Sequence, residues 1–168
     1  VPWLWGGGWA AAARAGCETG HQAGGAPWVA VDGQPAVVDV AISDRAGWAV
    51  CLVGRAGGAG GALGIDLELV EPRSDAFVGD FLTPAEQRLV AAAGPERDLV
   101  ANLVWCGKES ALKVLRTGLR RDTRSVEVSF PQVGAAGGWP PPSIRAVEGT
   151  VFPGWSTRFG SFVLARVA

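Results

Sequence analysis

Hydrophobic and polar positions alternate strictly over residues 62–70, ALGIDLELV, which predicts a β-strand. One face of this strand carries the apolar side chains of Leu63, Ile65 and Leu67. The opposite face carries Gly64, Asp66 and Glu68, so two carboxylates point the same way. A solvated strand face is a sufficient explanation of this pair when it is considered alone.

A helical period replaces the alternation between Pro95 and Gly118. Pro95 suits a first turn and Gly118 suits a helix end. The apolar stripe consists of Val100, Leu103, Val104, Ala111, Val114 and Leu115. At about 100° per residue, Trp105, Glu109 and Lys113 lie one above another on the far side from this stripe. A tryptophan on that side predicts that another part of the chain, a partner or a ligand covers it.

The remaining pattern adds a second helix and further strands. Thr83, Pro84 and Glu86 have the spacing of a capping box, which predicts a helix start in LTPAEQRLVAAAG. Strands are predicted around the DGQP turn and in GWAVCLVG, SVEVSF, SIRAVEGTVF and GSFVLARVA. Because strands, helices and strands follow one another in blocks, we expect an α+β fold.

Composition and charge narrow the class of protein. The chain has 168 residues, 48% of them hydrophobic, which is enough for the core of one domain. A net charge of -1 gives no overall attraction to nucleic acid or to an anionic membrane. The apolar runs are too short to span a membrane and no signal sequence is recognisable, which predicts a cytoplasmic protein.

Cysteine, histidine and methionine usage adds three expectations. The cysteines Cys17, Cys51 and Cys106 lack metal-ligand spacing and are odd in number, which predicts free thiols. The single histidine, His21, leaves little room for histidine-based catalysis. Methionine is absent, even at residue 1, which suggests a domain excised from a longer polypeptide.

The three carboxylates Asp66, Glu68 and Glu109 suggest a metal site if the strand faces the helix. They would repel one another unless a cation lay among them, and Mg²⁺ prefers a few carboxylates together with substrate phosphates. Lys108 and Lys113 would then be available to the phosphates. Phosphoryl transfer needs positioning and charge neutralisation more than a nucleophilic side chain, which suits this composition.

Three segments in order, GIDLELVEPR, FLTPAEQRLV and WCGKESALKVLRTGL, resemble the phosphopantetheinyl transferase superfamily. Its pattern is a G-I/V-D-x-E strand, an L-T-x-x-E helix and then W-x-x-K-E-x-x-x-K. Upstream, VAISDRAGWAVCLVG and DGQP resemble the I-S-H-S-x-x-W-x-V segment and the Y-G-K-P turn of the larger, surfactin-synthetase type. The resemblance implies an antiparallel sheet packed on a long helix, within one domain over residues 1–168. It also implies two pseudo-two-fold halves, a shortened one at about 1–61 and a second at about 62–168.

The resemblance implies an enzyme that transfers the 4'-phosphopantetheine arm of coenzyme A to a serine of an acyl carrier protein, releasing 3',5'-ADP. Position by position, it implies a Mg²⁺ site formed by Asp66, Glu68 and Glu109. Glu109 would deprotonate the carrier serine, and Lys113 would hold the pyrophosphate and assist the leaving phosphate. The residues expected to contact coenzyme A phosphates are Ser43, Arg45, Lys108 and Lys113.

Two departures from the family pattern affect the coenzyme A site. Asp44 stands where the family has histidine and Arg45 stands where it has serine, so Asp44 must point away or Arg45 must compensate for its charge. The first half is short and lacks a recognisable basic nucleotide-contacting segment. Coenzyme A binding is therefore expected to be weaker, or completed by another subunit of a homo-oligomer, and the domain is expected to derive from a larger synthase such as a polyketide synthase.

A basic cluster follows the long helix and consists of Arg116, Arg120, Arg121 and Arg124. It is either a solvated turn or a surface for the acidic helix of a carrier domain. Asp66 and Glu109 lie off the apolar stripe, so we expect them to line an open cleft. Two alternatives remain open: a Mg²⁺-dependent phosphohydrolase that uses the same carboxylates, and a catalytically inactive docking module.

Overall fold

The computed structural model describes residues 16–22, 25–57, 62–130 and 141–167. Its strands are β1 (Cys17–His21), β2 (Pro27–Val31), β3 (Gln34–Pro35), β4 (Val38–Arg45), β5 (Trp48–Arg55), β6 (Gly64–Leu69), β7 (Val126–Ser129), β8 (Ser143–Ala146), β9 (Val151–Phe159) and β10 (Phe162–Val167). Its α-helices are α1 (Asp75–Phe81), α2 (Pro84–Ala92) and α3 (Arg97–Val114), with short 3₁₀ turns at Gly94–Glu96, Gly118–Arg120 and Thr123–Ser125.

An antiparallel sheet of five strands, in the order β6-β10-β9-β8-β7, packs against the long helix α3. The first part of the chain adds the β4–β5 hairpin and a small β1-β2-β3 sheet. The α+β fold with an antiparallel sheet on a long helix is therefore confirmed. The division into two halves near residue 61 stays a prediction, because residues 58–61 lie outside the described part.

The helix α3 is buried nearly all round, which the sequence analysis did not expect. Every residue from Leu99 to Lys108 is buried, including the predicted polar side. Trp105 is covered by Phe77 and Phe81, whose ring centroids lie 5.1 and 5.5 Å from its own. These aromatic rings belong to α1, a helix that the sequence analysis missed. The cover of Trp105 thus includes a neighbouring helix, as expected of another part of the chain.

The end of α3 differs from the prediction. The helix ends at Val114 instead of continuing to Gly118, and two hydrogen bonds close it: Arg116 N–H to Lys113 O (3.0 Å) and Thr117 N–H to Leu112 O (3.2 Å). This is a Schellman motif, in which the residue after the cap adopts a left-handed conformation. Arg116 takes that place with a φ of 53°.

The hairpin β4–β5 lies against the free edge of β6. Two side chains of β4 accept hydrogen bonds from backbone N–H groups of this edge: Asp39 Oδ2 from Leu63 (2.6 Å) and Ser43 Oγ from Leu67 (3.2 Å). The edge strand of the main sheet is thereby protected without a backbone ladder. Asp66 lies on the same strand, so the first part of the chain meets the second part at the predicted acidic positions.

Two local predictions, the capping box and the DGQP turn, are confirmed. Thr83 and Glu86 form both hydrogen bonds of the capping box at the start of α2. Asp32 and Gly33 of the DGQP turn both have positive φ, and this turn joins β2 to β3. Cys17, Cys51 and Cys106 are free thiols. Within the described residues, no helix is long and apolar enough to cross a membrane.

Candidate active site

Asp66 is the buried centre of the site. Its Oδ1 accepts hydrogen bonds from Ser43 Oγ (2.8 Å) and from Lys113 Nζ (2.9 Å). Its Oδ2 is buried and has no hydrogen-bond partner among the described residues. The expectation that Asp66 lines an open cleft is therefore wrong: only 4% of this residue is exposed, because β4 and α3 cover it.

Close approach of α3 to β6 brings the two acidic segments together. A Cβ at Gly64 would lie 1.9 Å from the carbonyl oxygen of Ser110, so only glycine permits this contact. Lys113 spans the contact by donating to Asp66 and to the carbonyl of Ile65 (2.8 Å). The side of α3 that carries Glu109 and Lys113 thus faces the acidic strand, as the sequence analysis proposed.

Glu109 is half-buried, and the pKa of its carboxyl group is strongly raised. Burial and the negative charges of Asp66 and Glu68 raise its pKa to about 7, against a partial lowering by Lys113. A carboxyl group with such a pKa exchanges a proton near neutral pH. The arrangement therefore places a potential general base beside a buried carboxylate and an ammonium group.

Glu68 has basic partners of its own. Arg73 Nη2 donates to it at 3.0 Å, and Arg45 Nε lies 3.6 Å from the same carboxylate oxygen. Burial and the charge of Asp66 nevertheless raise the pKa of Glu68, while Arg73, Arg45 and a hydrogen bond from Trp105 lower it. Because two guanidinium groups already flank it, Glu68 is a weaker candidate for a metal ligand than its place on the strand suggested.

Arg45 and Asp44 lie on opposite faces of β4. Arg45 forms ion pairs with Glu68 and Glu71, so its charge is directed at carboxylates of the protein. Asp44 is exposed and separated by the strand from the face that holds Ser43. Of the two options raised by the sequence, the orientation of Asp44 away from the site is the one observed. Ser43 is buried and bonded to Asp66, so its hydroxyl is already engaged.

Lys108 does not fit the predicted contact with a coenzyme A phosphate. Its side chain is 0% exposed, and Nζ lies 2.7 Å from Glu86 Oε2, which is equally buried. The ammonium also donates to the carbonyl oxygens of Thr123 and Val126. Burial lowers the pKa of Lys108 and raises that of Glu86, and each partner opposes the shift of the other. The pair ties α3 to the start of α2 and to β7, away from the acidic strand.

A cavity of about 270 Å³ opens beside Glu109 and Lys113. Its wall includes Arg116 and Arg120 from the segment that follows α3, and Asp39 from β4. The segment around β1 and β2 contributes a further part of the wall, with His21, Gly25, Ala26 and Pro27. The first part of the chain therefore shapes the space in front of the candidate catalytic side chains.

The basic cluster after α3 is divided among internal partners. Arg116 pairs with Asp39, Arg121 with Glu148, and Arg124 with Asp122. Arg120 donates to the backbone carbonyl of Arg116 at 3.2 Å. Arg116, Arg121 and Arg124 thus face carboxylates of the protein, which weakens the expectation of one continuous docking surface for an acidic helix.

Two carboxylates fit a magnesium ion better than three. No group of three or more Asp, Glu, His or Cys side chains in the described ranges is arranged to hold a metal ion by itself. However, the buried Oδ2 of Asp66 lacks a partner among the described residues, and burial together with the negative charges of Asp66 and Glu68 raises the pKa of Glu109. Mg²⁺ is commonly held by one or two carboxylates together with substrate phosphates. Asp66 and Glu109 fit that donor set.

Residues 62–137 match the family model of the 4'-phosphopantetheinyl transferase superfamily. The resemblance to this superfamily is thereby confirmed over the segment that carries Asp66, Glu68, Glu109 and Lys113. No curated protein matches the chain.

Three solved structures are similar to this chain. The holo-[acyl-carrier-protein] synthase of Thermotoga maritima aligns at 21% identity and a TM-score of 0.48, over 62% of this chain and 60% of that chain. The Neisseria meningitidis synthase aligns at 20% identity and 0.49, over 62% and 94% of the two chains. The Helicobacter pylori synthase, in complex with coenzyme A, aligns at 19% identity and 0.47, over 63% and 97%.

Two residues at the cavity were missed by the sequence analysis. Asp39 was not considered, although a carboxylate inside the apolar run AVVDVAIS is a signal of a buried polar contact. Arg116 was considered only as part of an outer basic surface, yet it lines the same cavity as Glu109 and Lys113. Sequence alone gave no means of locating it there, because its position depends on where α3 ends.

Proposed function

We propose that this protein transfers the 4'-phosphopantetheine group of coenzyme A to a serine of an acyl carrier protein or domain, with Mg²⁺ as cofactor. The superfamily match over residues 62–137 supports the class of reaction. The observation that carries the proposal is that Glu109 and Lys113 line one cavity while the buried Asp66 accepts a hydrogen bond from Lys113 directly behind its wall. This set contains the positioned charges that phosphoryl transfer requires.

Glu109 is the proposed general base. Burial and nearby negative charge raise its pKa to about 7 in the metal-free protein, and its carboxylate would accept the proton of a serine hydroxyl, directly or through a water, as the hydroxyl attacks phosphorus. The proton leaves the hydroxyl as the new O–P bond forms and the bond to the 3',5'-ADP oxygen breaks.

Lys113 is the proposed anchor for the pyrophosphate. Its Nζ donates to Asp66 and to a backbone carbonyl, and 27% of its side chain is exposed at the cavity. An ammonium group held in this way stabilises the negative charge that develops on the leaving phosphate. Asp66 orients it, since their 2.9 Å contact fixes the position of Nζ.

Asp66 and Glu109 are the proposed ligands of Mg²⁺, with substrate phosphates completing the coordination. When bound, the ion neutralises charge on the pyrophosphate and so makes it a better electrophile. Glu68 is not included in this set, because Arg73 and Arg45 already flank its carboxylate. Lys108 is not included among the phosphate contacts, because it is buried with Glu86.

The proposal is tested by following 3',5'-ADP formation from coenzyme A by chromatography, with and without an apo carrier protein and with Mg²⁺ or EDTA. We expect 3',5'-ADP only when both the carrier and Mg²⁺ are present. Release of phosphate or of a nucleotide without a carrier would support a phosphohydrolase instead. No product, together with no binding of coenzyme A by calorimetry, would support an inactive docking module.

A further inference from the structure

Arg116 occupies a backbone position that favours glycine. It is the residue after the cap of α3, and its φ of 53° lies in the left-handed region. Side chains with a Cβ are disfavoured there, and glycine is the usual residue at this place in a Schellman motif. An unfavourable conformation that is kept beside a candidate active site is a reason to ask what the side chain does.

The side chain of Arg116 reaches from the end of α3 to β4. Its Nη2 donates to Asp39 Oδ1 at 2.6 Å, while Asp39 Oδ2 accepts from Leu63 N–H. The side chain of Asp39 is only 9% exposed, whereas that of Arg116 is 44% exposed. A guanidinium group carries five N–H donors, so one hydrogen bond to Asp39 does not exhaust it.

Arg116 and Asp39 form part of the wall of two cavities. The first, of about 270 Å³, also holds Glu109 and Lys113. The second, of about 350 Å³, is lined on its other sides by the segment around β2 and β3, including Trp28 and Pro35. The guanidinium group therefore lies where a substrate that reaches Glu109 and extends toward β2 would pass.

The other cations that the sequence suggested for phosphate binding are engaged elsewhere. Lys108 is buried in its pair with Glu86, and Arg45 pairs with Glu68 and Glu71. Neither lines the two cavities, whereas Lys113 lines the first and Arg116 lines both. A dianionic pyrophosphate in the first cavity thus meets Lys113 of α3 and, from the segment that follows this helix, Arg116 and Arg120 in the same wall.

We propose that Arg116 is a substrate-binding residue that holds a phosphate group of coenzyme A next to Lys113. This inference rests on the proposed function. The planar guanidinium group matches phosphate oxygens with parallel hydrogen bonds, which lysine cannot form. In the absence of substrate, Asp39 holds the guanidinium group of Arg116 at the cavity wall. A bound phosphate competes with the Asp39 carboxylate for this guanidinium group.

A different role for the same pair is a purely structural latch between α3 and β4. The two roles predict opposite effects for Asp39→Asn. As a latch, the pair is broken by Asp39→Asn as well as by Arg116→Gly, so both variants would weaken coenzyme A binding. If Arg116 binds a phosphate, Asp39→Asn removes a competing negative charge and keeps an amide oxygen that accepts from Leu63 N–H. Coenzyme A binding then becomes tighter.

The experiment measures the KM for coenzyme A, kcat with an apo carrier protein, and the dissociation constant of coenzyme A by calorimetry. Arg116→Gly suits the left-handed backbone, so we expect its Tm not to fall. We expect its KM and dissociation constant to rise about ten- to a hundredfold, the range for loss of charge-assisted hydrogen bonds, with a smaller change in kcat. Arg116→Lys should be intermediate and Asp39→Asn should lower the KM.

Arg88→Ala, on the exposed side of α2, is the control for loss of one positive charge. Equal weakening by Arg116→Gly and Asp39→Asn, or an unchanged KM in Arg116→Gly, would overturn the inference while leaving the proposed function intact. If the wild-type protein neither binds coenzyme A nor transfers its arm, the proposed function fails and this inference fails with it.

Discussion

Replacing Lys108 by methionine tests whether this lysine belongs to the core or to the substrate site. Lys108 and Glu86 are both 0% exposed, and their charged atoms lie 2.7 Å apart. Methionine keeps much of the volume but leaves the Glu86 carboxylate and two backbone carbonyls without their ammonium partner. Breaking a buried ion pair from one side costs about 3–5 kcal/mol. For a chain of this size, that corresponds to a fall in Tm of roughly 6–20 °C.

Thermal unfolding is monitored by circular dichroism. Coenzyme A binding is measured by calorimetry at a temperature well below the Tm of the variant. We expect the lower Tm together with coenzyme A affinity close to that of the wild type. Arg88→Met, the same substitution at an exposed site of α2, should leave the Tm unchanged. A Lys108→Met protein with the wild-type Tm but without coenzyme A binding would refute the buried-pair interpretation and restore the phosphate contact that the sequence suggested.

Three further predictions concern the acidic strand and its contact with α3. Asp66→Asn should abolish transfer and lower the Tm by no more than about 5 °C, because the amide oxygen still accepts from Ser43 and Lys113 and only the partly exposed ion pair with Lys113 is weakened. A larger fall in a melting curve would contradict this. Gly64→Ala should lower the free energy of unfolding by about 1–3 kcal/mol or more in denaturant unfolding, because its Cβ would lie 1.9 Å from the carbonyl oxygen of Ser110. An unchanged denaturation midpoint would show that α3 does not pack so closely against β6. In EDTA, stability should fall as the pH rises from about 4.5 to about 7, because the raised pKa of Glu109 makes the folded state bind more protons in that range. Melting curves across this range should lose that slope in Glu109→Gln, and an equal slope in this variant would assign the effect to other groups.

Periodicity and local motifs predicted much of the fold. The alternation around Asp66 and the capping box of Thr83 and Glu86 were sufficient, because strands and helix starts depend on neighbours in sequence. The pairing of Asp66 with the side of α3 that carries Glu109 followed from the order of the family motifs. These are the features for which local pattern and tertiary structure agree.

The sequence analysis failed where a side chain depends on a distant partner. Lys108 stands beside Glu109 in the motif, yet its direction is set by Glu86 on another helix. The helix end was placed at Gly118 because glycine is the usual residue there, whereas Arg116 adopts the left-handed conformation. Helix α1 was missed, although Ser74 caps it and its aromatic residues cover Trp105.

The most direct test of the central claim is the intact mass of an apo carrier domain after incubation with coenzyme A and Mg²⁺. Wild-type protein should add the mass of one phosphopantetheine to the carrier, and both EDTA and Glu109→Gln should prevent this addition. A carrier that stays unmodified with wild-type protein would contradict the proposed transfer. A carrier that is modified equally by Glu109→Gln would contradict the assignment of Glu109 as the base.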